Sequence, residues 1–299
     1  MKRVVSVSLG SKSRDHQGTL SLLGEDVIVE RIGTDGDVEQ ARRLYEELDG
    51  RVDCLGVGGA VLGIEIEGRR YDFRSMRKLV ENVKYTPIVD GEGIKNTIER
   101  QAIQYVEREI GREIPEKKAL LVSAVDRFGM ALSLRDAGYQ TVFGDLMFVF
   151  GLSIPVRTVP GLVRLLRTIG PIATQLPMSM LYPTGEREEH IVPKFEKYYR
   201  WATVICGDCN YIRRHIPDDM QGKVIVTNTT TAADVEAFRQ RGVKYLVTST
   251  PRIGTRTFGT NVLEAAIVAA SGKGRPLSMA EMAEYVAALD LHPQIETLN

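Results

Sequence analysis

The feature that most constrains the fold of this chain is a series of short apolar runs in its C-terminal two thirds. Five runs follow one another, each ending in small or polar residues: ALLVSA, TVFGD, ATVICGD, KVIVTN and KYLVTST. Helical or loop segments separate them. Strands that are apolar throughout are covered on both faces, and strands that alternate with helices form a parallel sheet. The sequence therefore predicts an α/β protein with a Rossmann-like parallel sheet, in a domain at residues 116–274.

A second, smaller α/β domain is predicted at residues 1–110, before a charged segment that contains Pro115. The remaining residues, 275–299, predict a C-terminal helix whose packing partner the pattern does not identify; Ser278 and Glu281 form a candidate capping box at its start. In the smaller domain, β-branched runs predict strands and apolar periodicity predicts helices. The strands are expected at 4–9, 26–32 and 52–59, and the helices at 38–49, 73–84 and 94–110.

Charge and cysteine content narrow the class of partner. Lysine plus arginine and aspartate plus glutamate number 39 each, so no net field attracts nucleic acid or an acidic membrane. No apolar run reaches about eighteen residues, and three cysteines fit a reducing compartment. We therefore expect a cytoplasmic protein with a small-molecule substrate and no nucleic acid or membrane partner. A homodimer is compatible with the sequence.

The histidines and cysteines give no metal site. Four histidines are scattered without metal-ligand spacing, and the lone C-x-x-C of Cys206 and Cys209 is one pair short of a four-cysteine zinc site. A thioredoxin-like role would need this pair at the start of a helix after a strand. Because Cys206 extends an apolar strand, a place in the core is the favoured interpretation.

The turn after ALLVSA is the first candidate site. Where a dinucleotide-binding turn reads G-x-G-x-x-G, this chain reads A-V-D-R-F-G, so only the last glycine is present. Asp126 would put a carboxylate where a diphosphate lies, and Arg127 beside it could offset that charge. Asp145 stands at the spacing of an acid that binds ribose hydroxyls. Two interpretations stay open: Asp126 caps the helix, or a cofactor binds Ala124, Asp126, Arg127, Phe128, Gly129 and Asp145.

The loop and helix start at residues 86–99 form the second candidate site. Glycines flank Glu92, which allows a sharp turn there. Asp90 and Lys95 supply an acid and a base, and Asn96 and Thr97 supply polar groups for a substrate. Because the loop lies at the predicted junction of two domains, a cleft is expected there. The alternative is a glycine-rich turn with a capping carboxylate.

Polar residues after the last two predicted parallel strands form the third candidate site. Hydroxyls, arginines and a helix start together can bind a phosphate or carboxylate. We expect this site to share one cleft with Asp90. Capping of the following helices is the alternative explanation for some of these residues. The candidate set is Asn228, Thr229, Thr230, Thr250, Arg252, Arg256, Thr260 and Asn261.

Residues 86 to 145 resemble the shikimate and quinate dehydrogenase family. That family has an Asn-Thr-Asp-Gly-x-Gly segment, then a helix and the first nucleotide-binding strand; here Ile88-Val89-Asp90-Gly91-Glu92-Gly93 precedes a helix and ALLVSA. The pattern is also similar to uncharacterised bacterial proteins labelled quinate 5-dehydrogenase. The resemblance implies NAD(P)-dependent oxidation of a cyclic hydroxy acid such as quinate or shikimate, with NAD or NADP as cofactor and Asp90 as the catalytic aspartate. The family's catalytic lysine has no matching motif here.

A different class of function also fits the sequence. A sensor or metabolite-binding protein could keep the Rossmann-like sheet and lack a dinucleotide, because Asp126 disfavours a diphosphate. The opposite effect of Asp145, which favours a ribose, keeps the oxidoreductase hypothesis open. Binding of NADH and NADPH separates the two.

Overall fold

The computed structural model describes residues 1–176, 191–253 and 256–299. The chain forms two compact units. Unit 1 contains Met1–Thr97, Gly170–Glu189 and Gly259–Leu291, and unit 2 contains Ile98–Ile169, His190–Phe258 and His292–Asn299. Each unit is therefore built from segments that are distant in sequence.

The described part of unit 1 contains a five-stranded sheet in the order β2-β3-β1-β4-β7. Strands β3, β1, β4 and β7 are parallel, and β2 pairs antiparallel with β3. A separate hairpin, β5-β6, follows β4 in the chain. The strands are β1 Lys2–Ser8, β2 His16–Leu22, β3 Glu25–Gly33, β4 Cys54–Gly58, β5 Gly63–Ile66, β6 Arg69–Asp72 and β7 Ile88–Val89.

Helices pack against this sheet through apolar side chains. Helix α1, Val38–Leu48, begins where Asp37 accepts a hydrogen bond from the Gln40 N–H group, and it buries Ala41 and Tyr45. The Tyr45 hydroxyl donates to the Val7 carbonyl over 2.9 Å, which ties the helix to β1. The short helices of this region are α2 Arg74–Leu79 and α3 Glu92–Ile94.

Helix α11, Thr260–Ala270, contacts strands β1, β3 and β4 of unit 1. Its sequence, TNVLEAAIVAA, is apolar on nearly every side, and such a helix is stable only when it is buried. The sequence placed these residues in the second domain, at 116–274, whereas the structure groups them with the first sheet. The physical reason is the apolar sheet surface that this helix covers. Chain order alone does not reveal that contact.

Unit 2 contains a six-stranded sheet within its described residues, in the order β15-β12-β11-β10-β8-β9. All pairs are parallel except β12 with β15. The five apolar runs all form strands, so the predicted α/β class with a parallel sheet is confirmed. The strands are β8 Lys118–Leu121, β9 Gln140–Phe143, β10 Val204–Cys206, β11 Val224–Thr227, β12 Tyr245–Thr248 and β15 Gln294–Thr297, with a hairpin of β13 Arg252–Ile253 and β14 Arg256–Thr257.

The helices before and between these strands differ in length, from 4 residues in Asp145–Phe148 to 15 in Val159–Ala173. A π-helical turn at Lys95–Glu99 leads into α4. The helices are α4 Arg100–Ile110, α5 Phe128–Asp136, α6 Asp145–Phe148, α7 Val159–Ala173, α8 Glu196–Trp201, α9 Cys209–His215 and α10 Ala232–Gln240. No helix of the described residues is long and apolar enough to cross a bilayer.

The C-terminal segment contains a helix and a strand. Helix α12, Met279–Ala288, starts with the predicted capping box of Ser278 and Glu281. The sequence did not predict β15, which pairs antiparallel with β12 at the edge of the sheet. An antiparallel edge strand is common on parallel sheets of this type.

In unit 2, β8 lies between β9 and β10, which directly follow it in strand order along the chain. The chain therefore leaves β8 in one direction first and crosses to its other side later. Ligands of open α/β sheets bind at this switch point, beyond the carboxyl ends of the strands. The loops after β8, β9, β10 and β11 meet at this edge.

Candidate functional site

The turn after β8 is bound by a carboxylate of the protein itself. The N–H groups of Ala124 and Val125 donate to Asp145 Oδ1 over 3.0 and 2.9 Å. Asp145 opens α6 directly after β9, so the predicted spacing does bring it to the turn. In a dinucleotide site, N–H groups at this position face phosphate. Here they already have an anionic acceptor.

The second oxygen of Asp145 is a buried polar atom beside this turn. Asp145 is 5% exposed, and its Oδ2 atom has no hydrogen-bond partner among the described residues. Burial raises the pKa of Asp145 to about 7, the Val125 and Ala124 N–H groups lower it, and the charge of Asp126 raises it. A buried acceptor without a donor is costly, so this atom is suited to a ligand that donates a hydrogen bond.

Arg127 sits between three carboxylates. Its Nη1 atom lies 2.7 Å from Asp126, its Nη2 atom 3.2 Å from Asp208, and its Nε atom 3.3 Å from Glu99. The side chains of Arg127 and Glu99 are 2% exposed. The predicted offset of Asp126 by Arg127 is thus present as an ion pair. We name the group of Glu99, Asp126, Arg127, Asp145 and Asp208 the acidic edge.

The other contacts of the acidic edge fix its geometry. Asp208 caps α9 by accepting from the Asn210 N–H group, and it also accepts from Asn228 Nδ2 over 3.1 Å. Glu99 Oε1 accepts from the Ser249 hydroxyl over 3.2 Å. Helix α5 begins after Arg127 without a side-chain cap. Arg127 occupies the N-cap position of α5, and Asp126 accepts a hydrogen bond from Arg127 Nη1 over 2.7 Å.

Tyr211 on α9 shows that three of these acids converge. Burial raises the pKa of Tyr211 well above its usual value, and the charges of Asp126, Asp208 and Asp145 raise it further. The phenol therefore stays protonated and neutral at physiological pH. A neutral phenol thus lies beside three carboxyl groups of the acidic edge.

Phe128 and Gly129 complete the predicted cofactor turn. Phe128 is partly exposed and begins α5, and Gly129 is buried in its first turn. The sequence predicts that a glycine there permits close packing of helix on strand. These two residues therefore have a place in the fold whether or not a cofactor binds.

The threonines of the third candidate site bind the backbone. Thr250 donates to the Phe258 carbonyl over 2.6 Å, and Thr229 donates to the same carbonyl over 3.3 Å. The Thr230 N–H group donates to the Thr257 hydroxyl over 2.7 Å. These bonds tie the loops after β11 and β12 to the segment at residues 257–258. They give each hydroxyl a structural partner.

Of the other polar residues in the third candidate site, Asn228 and Arg252 also bind groups of the protein. Asn228 accepts from the Cys209 N–H group as well as donating to Asp208. Arg252 pairs with Glu296 of β15 over 2.6 Å. Arg256 lies in β14, and its side chain falls outside the described residues.

In unit 1, Asp90 is 7% exposed and binds the backbone. Its carboxylate accepts from the Leu62 N–H group over 2.6 Å and from the Glu92 N–H group over 3.3 Å. Lys95 is also buried. The pairing of Asp90 with Lys95 as acid and base stays a prediction.

Asn96 and Thr97 differ in their surroundings. Asn96 is exposed. The Thr97 hydroxyl is buried and donates to the Gly93 carbonyl over 2.7 Å, within its own helical segment. Asn96 is the member of this pair that faces solvent.

The loop of Asp90 contacts the start of α11. A Cβ atom on Gly91, whose φ is 92°, would collide with the Thr260 hydroxyl. Asn261 Nδ2 donates to the Ser6 hydroxyl over 2.5 Å. The expected proximity of Asp90 to the polar segment ending at Asn261 therefore holds for Thr260 and Asn261. The other members of that set belong to unit 2.

Glu264 of α11 is a buried acid that sequence reasoning missed. Its Oε2 atom accepts from the Gly93 N–H group over 3.1 Å. Burial and the charge of Asp90 raise the pKa of Glu264 to about 8. The signal in the sequence was a single acid inside an apolar helix, TNVLEAAIVAA. A charge there needs a buried partner.

Asp208, Glu99 and Tyr211 were also missed as site residues. Asp208 stands between the two cysteines of the C-x-x-C pattern, directly after a strand, which is a position from which polar side chains reach the sheet edge. Glu99 ends the π-helical turn, and such turns are frequent at functional sites. The apolar periodicity used to predict the helices does not identify Asp208 or Glu99 as a site residue.

The described residues offer no metal or thiol chemistry. No group of three or more His, Cys, Asp and Glu side chains among them is arranged to hold a metal ion. Cys54, Cys206 and Cys209 are free and buried, and burial raises the pKa of the Cys206 thiol. A buried thiol with a raised pKa is a poor nucleophile.

The parallel sheet, its strand order and the loops at its carboxyl edge define a Rossmann-like α/β protein. The chain belongs to the family described as domain of unknown function DUF8754, whose model matches residues 93–298. Residues 3–90 match a second model, domain of unknown function DUF8753. No curated protein matches the chain.

Solved structures with a distant likeness include enzymes and binding proteins. An NAD-dependent malic enzyme from Thermotoga maritima is 12% identical with a TM-score of 0.40, over 96% of this chain and 77% of that one. A hetero-hexameric glutamate dehydrogenase from Thermus thermophilus is 12% identical with a TM-score of 0.43, over 96% and 73%. A glucose-galactose binding protein from Geobacillus stearothermophilus is 11% identical with a TM-score of 0.38, over 99% and 97%. Scores in this range carry no functional conclusion.

Proposed function

We propose that the protein binds a small metabolite at the acidic edge of unit 2, without a dinucleotide diphosphate. The observation that carries this proposal is the occupied turn after β8. The N–H groups of Ala124 and Val125 bind Asp145, and the Arg127 guanidinium is paired with carboxylates. The groups that would bind a diphosphate therefore already have anionic partners within the protein.

Electrostatics also opposes a diphosphate. Two like unit charges about 5 Å apart, at an effective dielectric constant of about 20, repel by about 3 kcal/mol. A diphosphate beside Asp126 and Asp208 meets several such repulsions, of which Arg127 offsets a part. A neutral or cationic ligand avoids them. The proposed function is thus a metabolite-binding or sensor protein on a Rossmann-like sheet.

The test is titration of the full-length protein with NADH and NADPH while nicotinamide fluorescence is recorded. We expect no saturable binding by the wild type. Asp126→Asn removes one repulsive charge with little change of shape, and Asp136→Asn, on an exposed part of α5, is the matched control. Saturable binding of either cofactor by the wild type would contradict the proposal.

A second candidate function is NAD(P)-dependent oxidation of a cyclic hydroxy acid such as quinate or shikimate. The observation that favours it is Asp145 at the end of the second strand of the sheet, with a buried Oδ2 atom that could accept a ribose hydroxyl. In this candidate, NAD or NADP is the cofactor, and Asp90 with Lys95 moves a proton to or from the substrate hydroxyl. The anion-binding set would hold the substrate carboxylate.

Asp90→Asn tests the second candidate. General acid–base catalysis contributes about 10²–10⁴-fold to rate, so this variant should lose turnover by that factor while it folds normally. Asp26→Asn, at an exposed acid of the same unit, is the control. Turnover of quinate and shikimate is followed by cofactor absorbance. A wild type that oxidises neither compound with either cofactor excludes this candidate, and unchanged turnover in Asp90→Asn excludes Asp90 as the catalyst.

A further inference from the structure

Strand β2, His16–Leu22, forms one edge of the sheet of unit 1 and is the longest edge strand among the described residues. The opposite edge, β7, has two residues, and β15 at one edge of the sheet of unit 2 has four. At the other edge of that sheet, β9 is bridged by Val156. An edge strand has unpaired backbone groups that can pair with a further strand. Strand β2 therefore offers the longest row of such groups.

The turn after β2 determines which backbone groups point away from β3. Leu23 and Gly24 form a two-residue loop with φ values of 55° and 78°, so Leu22 and Glu25 are a hydrogen-bonded pair. Hydrogen-bonded and non-hydrogen-bonded pairs alternate along an antiparallel ladder. Every second residue of β2 therefore directs its N–H and C=O groups outward, where they form no hydrogen bond with the described residues. These residues are Gln17, Thr19 and Ser21.

Strand β2 also lacks the features that keep edge strands from pairing. Charged residues, proline and β-bulges are the usual ones. The sequence of the strand, HQGTLSL, contains no Lys, Arg, Asp, Glu or Pro, and its register with β3 is unbroken over all seven residues. The residues with outward backbone groups are exposed and polar, whereas Leu20 and Leu22 are buried. A further strand can therefore pair with this edge while both leucines stay in the core of the unit.

We propose that two copies of the chain pair through β2, in antiparallel orientation, about a two-fold axis that passes between the two Thr19 residues. An antiparallel edge is complementary to itself. With Thr19 opposite Thr19 of the second copy, Gln17 lies opposite Ser21, and every outward N–H group meets an outward C=O group. Five strands from each copy then form one continuous sheet. This inference goes beyond the proposed function, because it concerns an interface of unit 1 and not the acidic edge of unit 2.

The charges beside the two ends of β2 favour this antiparallel arrangement. Two basic residues precede the strand and two exposed acids follow its turn. They are Lys12 and Arg14, and Glu25 and Asp26. Each end also has ion pairs within its own chain: Asp15 lies 2.7 Å from Arg31, Lys12 lies 3.4 Å from Asp35, and Glu25 lies 4.0 Å from the Met1 amino group. Antiparallel pairing brings the basic end of each copy towards the acidic end of the other, whereas parallel pairing brings like ends together.

The first experiment is sedimentation velocity of the full-length protein between about 1 and about 300 µM. One strand pair buries less surface than the roughly 1,200–2,000 Å² of a typical stable interface, so we expect a weak dimer. Its dissociation constant should lie at about 1–100 µM. Thr19→Lys places two like charges opposite each other at the axis and should weaken the dimer at least about fivefold. Gln294→Lys, at an exposed position of the edge strand β15, is the matched control and should not change it.

Cysteine variants test the register and do not depend on how Thr19→Lys folds. Opposite residues of a hydrogen-bonded antiparallel pair have Cα atoms about 5.5 Å apart, which a disulfide can span. Thr19→Cys should therefore form a disulfide-linked dimer under mild oxidation at the highest concentration. Ser21→Cys should not, because its two copies are about 13 Å apart along the strands. The native cysteines are buried and give little background.

Each outcome decides the inference. A wild type that stays monomeric throughout the concentration range overturns it. A dimer that Thr19→Lys does not weaken, or that Gln294→Lys weakens equally, also overturns it. Cross-linking of Ser21→Cys as efficient as that of Thr19→Cys excludes the proposed register, whereas cross-linking of Thr19→Cys alone supports it.

Discussion

In each of units 1 and 2, a buried carboxyl group with a raised pKa binds backbone N–H groups of a loop beside a parallel sheet. In unit 1, Glu264 binds the Gly93 N–H group, and in unit 2, Asp145 binds those of Ala124 and Val125. Burial raises the pKa of both side chains, to about 8 for Glu264 and about 7 for Asp145. The two loops are therefore stabilised by the same kind of contact.

The two carboxyl groups differ in their sequence distance from their partners and in whether one of their oxygens lacks a hydrogen-bond partner. Glu264 is 171 residues from its partner in sequence, and Asp145 is 20 or 21 residues from its partners. Among the described residues, an unpartnered buried oxygen remains on Asp145 and not on Glu264. The comparison teaches that the same kind of contact can use a carboxyl group fully, as in unit 1, or leave one of its oxygens without a hydrogen-bond partner, as in unit 2.

The largest expected effect is the loss of stability when the Arg127 guanidinium is removed from unit 2. Arg127→Met removes the guanidinium and leaves three carboxylates without it, which should lower the free energy of unfolding by about 3–5 kcal/mol. Arg135→Met, at an exposed pair with Asp136, should cost less than about 1 kcal/mol. Urea unfolding followed by circular dichroism measures both. A loss below about 1 kcal/mol in Arg127→Met would show that the acids at this edge are neutral or otherwise paired.

A glycine of unit 1 tests how tightly its loop is closed. Gly91 has a φ of 92°, and an added Cβ atom would press on Thr260 and on the Asn261 backbone. Gly91→Ala should therefore lower the free energy of unfolding by about 2–4 kcal/mol, from backbone strain plus overpacking. Gly24, with a φ of 78° and open space around it, is the matched control, for which strain alone predicts about 1 kcal/mol. If the free energy of unfolding falls equally in the two alanine variants, helix α11 shifts to make room for the added Cβ atom of residue 91.

The smallest expected effect is a pH dependence shared by both units. A carboxyl group with a raised pKa in the folded state contributes stability that is present below its unfolded pKa, near 4, and is lost as pH rises through its folded pKa. Asp145→Asn and Glu264→Gln abolish that loss. Relative to the wild type, each variant should gain about 1–3 kcal/mol between about pH 5 and about pH 9.

The pH at which this gain in stability stops increasing distinguishes the two units. The gain should stop increasing near pH 7 for Asp145→Asn and near pH 8 for Glu264→Gln, because these are the folded pKa values of the two groups. Thermal unfolding at several pH values is the measurement, with Asp218→Asn as the exposed control. Stability differences that do not change with pH would show that neither carboxyl group titrates in this range.

Local patterns in the sequence were sufficient for the sheet of unit 2 and for one residue of its edge. Continuous apolar runs identified the five parallel strands. The spacing from the turn singled out Asp145, but as a ribose ligand and not as the partner of the Ala124 and Val125 N–H groups. The anion site at the threonines after β11 and β12 stays a prediction, because a sequence does not show whether a hydroxyl donates to a ligand or to a carbonyl. The Phe258 carbonyl is that partner for Thr229 and Thr250.

Contacts between distant segments were not predictable in the same way. Glu264 and Asp90 are in different halves of the chain, and only the fold of α11 onto the first sheet brings them together. Asp208 and Glu99 likewise meet Arg127 from separate loops. A single sequence contains the residues of such clusters but no measure of their proximity.

The placement of α11 also has a consequence for synthesis on the ribosome. The last strand of the first sheet ends at Val89, and the helix that covers this sheet begins at Thr260, about 170 residues later. At roughly 5–20 residues per second, translation of that interval takes on the order of ten to thirty seconds. During this time the apolar surface for α11 stays uncovered, while the intervening residues 98–258 can already form most of unit 2. The nascent chain therefore presents a binding surface for chaperones that the finished protein does not have.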